Sequence, residues 1–250
     1  MSFTWYGISI EDHIQPLSGR GYRLVENQEE IASTEIVTTL EEQAILEEML
    51  ETLSKPKLRS GTESLNYLLS TPFRYPPLQN GSRFGTKQEP SLFYGGTTVD
   101  VTLCEGAYYR FFFYHDMEDP PIDGALKSQH TLFDFSYQTG AGIKLQGSPF
   151  DSHRIILRDP ANYTETQALG SGMRETEIKA FEYISARDTN MGINIALYDE
   201  TPLTCIGPIN TSACLCQTEI DKVTYSIDGK IASFSIRQFQ VHGILPNPSY

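Results

Sequence analysis

LFYGGTTVDVTLCEGAYYR, residues 92–110, holds the change of hydrophobic period from which the fold is read. Ser91 to Gly96 reads as a strand that ends in a glycine turn. Thr97 or Thr98 then stands as an N-cap. Val99, Leu103, Ala107 and either Arg110 or Phe111 fall on one face. That spacing predicts a helix of about four turns, despite its β-branched start. Glu105 comes seven residues after Thr98, roughly 10 Å up the helix axis. The run Phe111 to Phe113 is expected in the core.

Upstream, RYPPLQNGSRFG (residues 74–85) places two arginines on a stiff, punctuated segment. Pro76 and Pro77 fix the backbone beside Arg74 and Tyr75. Gly81 and Gly85 allow a tight turn around Arg83. Arg83 to Tyr94 is eleven residues, and Tyr94 to Glu105 is eleven again. A planar guanidinium fork is well matched to phosphate. A turn, a strand and a helix in succession can aim Arg74, Tyr75, Arg83, Tyr94 and Glu105 into one cleft. From these residues alone a plainer reading stays open: arginines paired with nearby acids, Tyr94 in the core and Glu105 in water.

Outward from this unit, residues 1–34 show weak periodicity. Nine glutamates and no lysine or arginine lie between Glu26 and Ser54. Within that stretch TLEEQAILEEMLETL reads as a helix, capped by Thr39 with Glu42. Leu46, Met49, Leu50 and Leu53 form its apolar face and dock it on the main body. ESLNYLLSTPF reads as a short helix stopped before Pro72. Between Asp116 and Pro149 the pattern gives short strands such as TLFDFSY, joined by glycine-rich links. SHRIILRD reads as a buried strand. NYTETQALGSGMRETE reads as a helix weakened at Gly170 and Gly172. FEYISARD and INIALYDE read as strands, with a loop from Asp188 to Met191. KVTYSIDGKIASFSI is a hairpin turning at Asp228-Gly229. Strands and helices mix without a βαβ rhythm, which places the chain in the α+β class.

The totals narrow the function. The 250 residues carry 32 acids against 19 bases, a formal charge of −13. Such a surface disfavours nucleic-acid binding, which needs a basic face. Four cysteines without an export signal read as free thiols. No apolar run reaches membrane-span length, so a cytoplasmic protein with no membrane contact is expected. GAGIKLQG has Leu145 where a dinucleotide fingerprint needs its last glycine. CLC at residues 214–216 lacks a second ligand pair at finger spacing, and the five histidines are scattered. No metal site is therefore expected. The E-x-E triplet at Glu175 to Glu177 matches that of arginine-specific ADP-ribosyltransferases, but it falls near a helix end and reads as a solvated face.

TPFRYPPLQNGSRFG, LFYGGTTVDVTLCEGAYYR and FEYISARD together resemble the three blocks of the RES domain, in order and in spacing. The resemblance runs roughly from Leu65 to Asp199. RES domains are the toxin components of RES–Xre toxin–antitoxin modules. The resemblance implies an enzyme that cleaves the nicotinamide–ribose bond of NAD, as an NAD phosphorylase or an NAD glycohydrolase. NAD would be the substrate, inorganic phosphate or water the acceptor, and no metal would take part. It further implies a compact ADP-ribosyltransferase-like mixed fold with a split sheet around an NAD cleft. A cognate Xre-type antitoxin would be the partner, and a homo-oligomer is compatible with it. Residues 61–250 would form the catalytic domain, including the C-terminal hairpin, and residues 1–60 an N-terminal helical extension.

Carried over by position, Glu105, Arg83 and Ser185 would be catalytic, while Arg74, Tyr75, Tyr94 and Asn194 would bind NAD. The two arginines would clamp the pyrophosphate or the incoming phosphate, and the two tyrosines would wall the nicotinamide. Ser185 would bond the ligand or orient Glu105; read alone, it is a local cap on the SARD turn. Two alternatives share the cleft: an ADP-ribosyltransferase acting on a protein, and a non-catalytic NAD-binding sensor.

Overall fold

The computed structural model describes residues 3–27, 37–49 and 55–247. Its strands are β1 (Thr4–Trp5), β2 (Ile8–Ser9), β3 (Gln15–Glu26), β4 (Phe93–Gly96), β5 (Ala125–Lys144), β6 (Ala180–Ile184), β7 (Ile193–Leu197), β8 (Thr211–Glu219), β9 (Lys222–Ile227) and β10 (Lys230–Ser235). Its helices are α1 (Leu40–Met49), α2 (Tyr67–Arg74), α3 (Val99–His115), α4 (Arg154–Leu157) and α5 (Thr164–Glu175). The class is α+β, as the mixed pattern predicted.

β1 and β2 form a small hairpin; the other eight strands form one sheet in the order β10-β9-β8-β5-β3-β4-β7-β6. The far end of β5 also pairs with β6, in parallel, from Gly142 to Lys144. The pairings β5-β3-β4-β7-β6 therefore close on β5 again. Where a split sheet was expected, a ring of strands carries a three-stranded wing, β8 to β10.

Three apolar clusters fill the molecule. One lies inside the ring, around Phe93, Phe133 and Phe135. The second packs α5 and the turn that carries Phe84 against β6 and β7, through Phe84, Leu169, Met173, Phe181 and Ala196. The third packs α3 on the wing, through Leu103, Ala107, Phe111, Val223 and Tyr225.

The predicted α3 stands. Thr98 caps it, accepting from the Val101 amide, and the face through Leu103, Ala107, Arg110 and Phe111 is buried. Of the aromatic run only Phe111 enters the core; Phe113 points outward, since a helix turns residues 111 and 113 about 200° apart. The hairpin forms with both turn residues at positive φ, 49° for Asp228 and 76° for Gly229. The glycines of α5 are packing sites rather than weak points. A side chain at Gly170 would collide with the Phe84 carbonyl, and one at Gly172 with the Phe3 ring.

Other expectations fail for physical reasons. The described part of residues 1–60 is not a helical extension: beside α1 it holds β3, which lies inside the sheet and pairs with β5 from Gln15 to Glu26. Its glycines, proline and arginines hide it from propensity; pairing along a long partner makes it a strand. β5 is one 20-residue strand rather than several short ones. It serves β8, β3 and β6 in turn along its length. SHRIILRD is helical: its apolar run is too short for periodicity to separate strand from helix. Ile155 is exposed and Leu157 buried, and the Arg158 amide bonds to the Arg154 carbonyl. α2 runs past Pro72, held by Leu69 and by Phe73 stacked on Phe93. In α1, Met49 is half exposed and no described residue is buried; Leu50 and Leu53 lie outside the described residues.

Candidate active site

A cleft of about 400 Å³ opens where the end of β4, the start of α3, β6, β7 and the 78–86 turn converge. Five tyrosines wall it: Tyr22, Tyr94, Tyr109, Tyr163 and Tyr183. Glu105 lies on the second turn of α3 and faces this space. Its Oε1 accepts two hydrogen bonds, from the Ser185 hydroxyl at 2.6 Å and from Asn194 Nδ2 at 2.7 Å. The Ser185 Oγ also accepts from the amides of Arg187 and Asp188, each at 3.0 Å. With its lone pairs engaged, the hydroxyl proton can only go to Glu105. Ser185 therefore caps the SARD turn and orients Glu105 at once. It is fully buried and is not part of the cleft wall.

Asn194 reaches Glu105 because β7 places it beside Gly96 of β4 and Tyr183 of β6. Its Oδ1 is buried without a partner. Tyr94 ties strand to turn: its hydroxyl sits 2.9 Å from Ser82 Oγ and accepts from the Phe84 amide. Burial pushes that phenol up to about 12, so it stays neutral. Gly81 turns the chain at φ 76°, and Ser82 bridges to Gly85. Gln167 of α5 donates to the carbonyls of Asn80 and Ser82 from behind.

This rigid turn presents Arg83. Its guanidinium lies 4.4 Å over the Tyr163 ring, and Nη1 donates to the carbonyls of Asp159 and Leu157. Nη2 is buried without a partner, and among the described residues Arg83 has no ion pair. The structure thus brings Arg83, Tyr94, Glu105, Ser185 and Asn194 together. It does not bring Arg74 or Tyr75. Arg74 Nε donates to the Pro56 carbonyl at 2.5 Å, and Tyr75 is 42% exposed. Neither lines the cleft, whereas the prolines that follow them, Pro76 and Pro77, do.

Residues 59–211 match the model of the RES domain. The chain belongs to the RES domain family. No curated protein matches it.

The matched span omits part of what builds this RES domain's cleft. Tyr22 and Arg23 come from β3, ahead of it. Arg23 donates through Nη1 to the Tyr94 carbonyl at 2.5 Å and lies over the Phe93 ring. Burial draws its pKa down to about 10, and it stays cationic at neutral pH. No sequence signal marks Arg23, because β3 has no period of its own. Tyr109 had one, standing one helical turn beyond Glu105. Tyr183 had another: it precedes Ser185 by two residues on a strand, the spacing that puts side chains on one face. Tyr163 comes from the loop before α5, where nothing local points to it.

Among the described residues no group of three His, Cys, Asp or Glu side chains is placed to hold a metal ion, and no helix is long and apolar enough to cross a membrane. All four cysteines are free thiols. Cys214 and Cys216 are buried against α3 in the wing.

Proposed function

We propose that this RES domain cleaves the bond between nicotinamide and ribose in NAD, with inorganic phosphate or water as the acceptor. One observation carries the reading. A single carboxylate, Glu105, is fixed from two sides at the floor of a tyrosine-walled cleft that also receives Arg83 and Arg23.

The oxidised nicotinamide ring is a cation, and tyrosine faces attract cations. When the glycosidic bond breaks, its electron pair goes to the ring nitrogen and nicotinamide leaves neutral. No general acid is required. The positive charge passes to the ribose, and a carboxylate fixed beside it lowers the barrier. Oε1 of Glu105 is committed to Ser185 and Asn194. Oε2 accepts no hydrogen bond among the described residues and is left for the ribose. A phosphate dianion attacking the same carbon would form the new C–O bond, giving ADP-ribose carrying a 1-phosphate. Arg83 and Arg23 supply positive charge for the pyrophosphate or the acceptor, which matters in a protein of charge −13. Arg74, cast in the same role by position, would have to leave the Pro56 carbonyl to take part. In this reading the protein is the toxin of a toxin–antitoxin pair in the cytoplasm, and an Xre-type antitoxin covers the cleft.

The test is incubation of the purified protein with NAD, with and without phosphate, resolving products by mass. Loss of NAD with release of nicotinamide is expected, faster with phosphate and yielding the 1-phosphate. ADP-ribose on cell proteins without net phosphorolysis would move the assignment to protein modification. Tight NAD binding with no turnover would make the site a sensor.

A further inference from the structure

Arg187 lies two residues beyond Ser185 and is 4% exposed. Its guanidinium carbon stands 3.6 Å over the Tyr108 ring, and Nη2 donates to the Tyr163 hydroxyl at 3.1 Å. Nη1 is buried without a partner. Among the described residues this buried cation forms no ion pair. An uncompensated buried charge is costly, so something must offset it. The adjacent carboxylate, Asp188, is otherwise engaged. Its oxygens accept from the amides of Asn190 and Gly192, and its carbonyl, like that of Ser185, accepts from Arg158.

The remaining acid nearby is Glu105. The Arg187 amide and the Glu105 carboxylate share one atom, Ser185 Oγ, at 3.0 and 2.6 Å. Tyr108, which carries the guanidinium, stands three residues beyond Glu105, on the same side of α3. Glu105 also raises the pKa of the Cys104 thiol and of the Tyr183 phenol, after burial in each case, while Arg187 lowers that of Cys104. One pocket thus holds both charges, with Cys104, Tyr108, Tyr109, Tyr163 and Tyr183 around them; the nearest other charges are Asp188, held by the amides of its own turn, and Arg83, on the Tyr163 ring.

We propose that Arg187 is a positioning residue, a buried counter-charge that holds the Glu105 carboxylate in place when a ligand drives water from the cleft. Arg187 does not line the cleft, whereas Glu105 does, so the cation neutralises without occupying the face left for the ribose. This rests on the reading of Glu105 as the group that meets the sugar, but the coupling of the two charges can be measured without any substrate.

Thermal melts of Glu105→Gln, Arg187→Met and the double variant form a cycle. The amide in Glu105→Gln keeps the oxygen that accepts from Ser185 and Asn194, so only the charge is lost. We expect its Tm to fall by about 3 °C or more, because Arg187 is left uncompensated, and the double variant to melt higher than the sum of the two single losses. Additive losses would overturn the proposal. Should Arg187→Met fail to fold, Glu105→Gln decides alone: melting at or above wild type overturns it. In turnover, Arg187→Met is expected to lower kcat by roughly tenfold to a hundredfold with KM for NAD unchanged, and Arg187→Lys to recover most of it. Equal losses in kcat with lysine and methionine would also count against the proposal. If the cycle shows coupling while the wild-type protein leaves NAD intact, the charge pair stands and the enzymatic reading fails.

Discussion

The cleft and the wing each bury an arginine against an aromatic ring, and they treat its charge in opposite ways. Against the wing, Arg110 of α3 lies over Phe113 and is paired: Nη1 meets Glu26 at 2.8 Å and Nε reaches Thr218 Oγ1 of β8. In the cleft, Arg83 lies over Tyr163 and meets only carbonyls; each of the two arginines keeps one Nη without a partner, so the carboxylate is what separates them. A guanidinium whose purpose is structural finds its carboxylate within the fold. One kept for a ligand is supported by dipoles and left short of a counter-ion. The same contrast separates Glu26, which is half exposed and paired with Arg110, from Glu105, whose Oε1 takes two neutral donors while Oε2 stays open.

Three experiments would break or sharpen this contrast. The largest effect belongs to Glu105→Ala, which should reduce NAD consumption by about 10³-fold or more with the circular dichroism spectrum retained. Residual activity near wild type would remove the cleft from the argument. Next come the two arginines. Arg83→Gln should weaken NAD or phosphate binding by roughly tenfold to a hundredfold, measured by calorimetry, while Arg110→Gln leaves affinity alone and lowers unfolding stability by about 1–3 kcal/mol. If Arg110→Gln loses affinity as much as Arg83→Gln, the division of roles is wrong.

The smallest effect is the pH dependence of the wing. His130 is buried beside Arg110, and burial first, then the Arg110 charge, lowers its pKa to about 4. The unfolded chain binds this proton near the ordinary value of 6.5, so below that pH it holds more protons than the folded protein. The histidine's share of stability should therefore be full above about 6.5 and fall as pH drops towards 4, by about 1.4 kcal/mol per unit at most. Denaturant titrations at several pH values should show this slope, and His130→Asn should flatten it. An unchanged slope would mean that the wing admits the charged ring.

Much of the site was legible because it is local. Arg83, Tyr94 and Glu105 stand on a turn, a strand and a helix that follow one another, and each element announces itself by glycines, by a cap or by periodicity. Ser185 follows β6 and Asn194 sits on β7, strands of ordinary pattern, and their roles came only through the family resemblance. The errors fall where long-range pairing decides. Arg74 looked equivalent to Arg83, yet it ends α2 and turns to Pro56, a segment eighteen residues away. Arg23 and Tyr22 belong to a strand whose sequence favours no strand, made regular by β5. Arg187 was visible as a residue of the SARD turn, but nothing in the sequence shows that its side chain is buried on Tyr108.

The closure of β5 onto β6 also bears on where a second chain can attach. Because those pairings come full circle, every strand of the ring has a neighbour on each side, although β3 meets β4 only at Tyr22 and Gly96 and β6 meets β5 only from Ala180 to Glu182. Among the described residues of the large sheet, β10 alone has a single neighbour. An edge of the large sheet left unpaired along its whole length is therefore offered at the rim of the wing, on a strand that bears Lys230 and an exposed Ile231, and strand addition there would leave the cleft open.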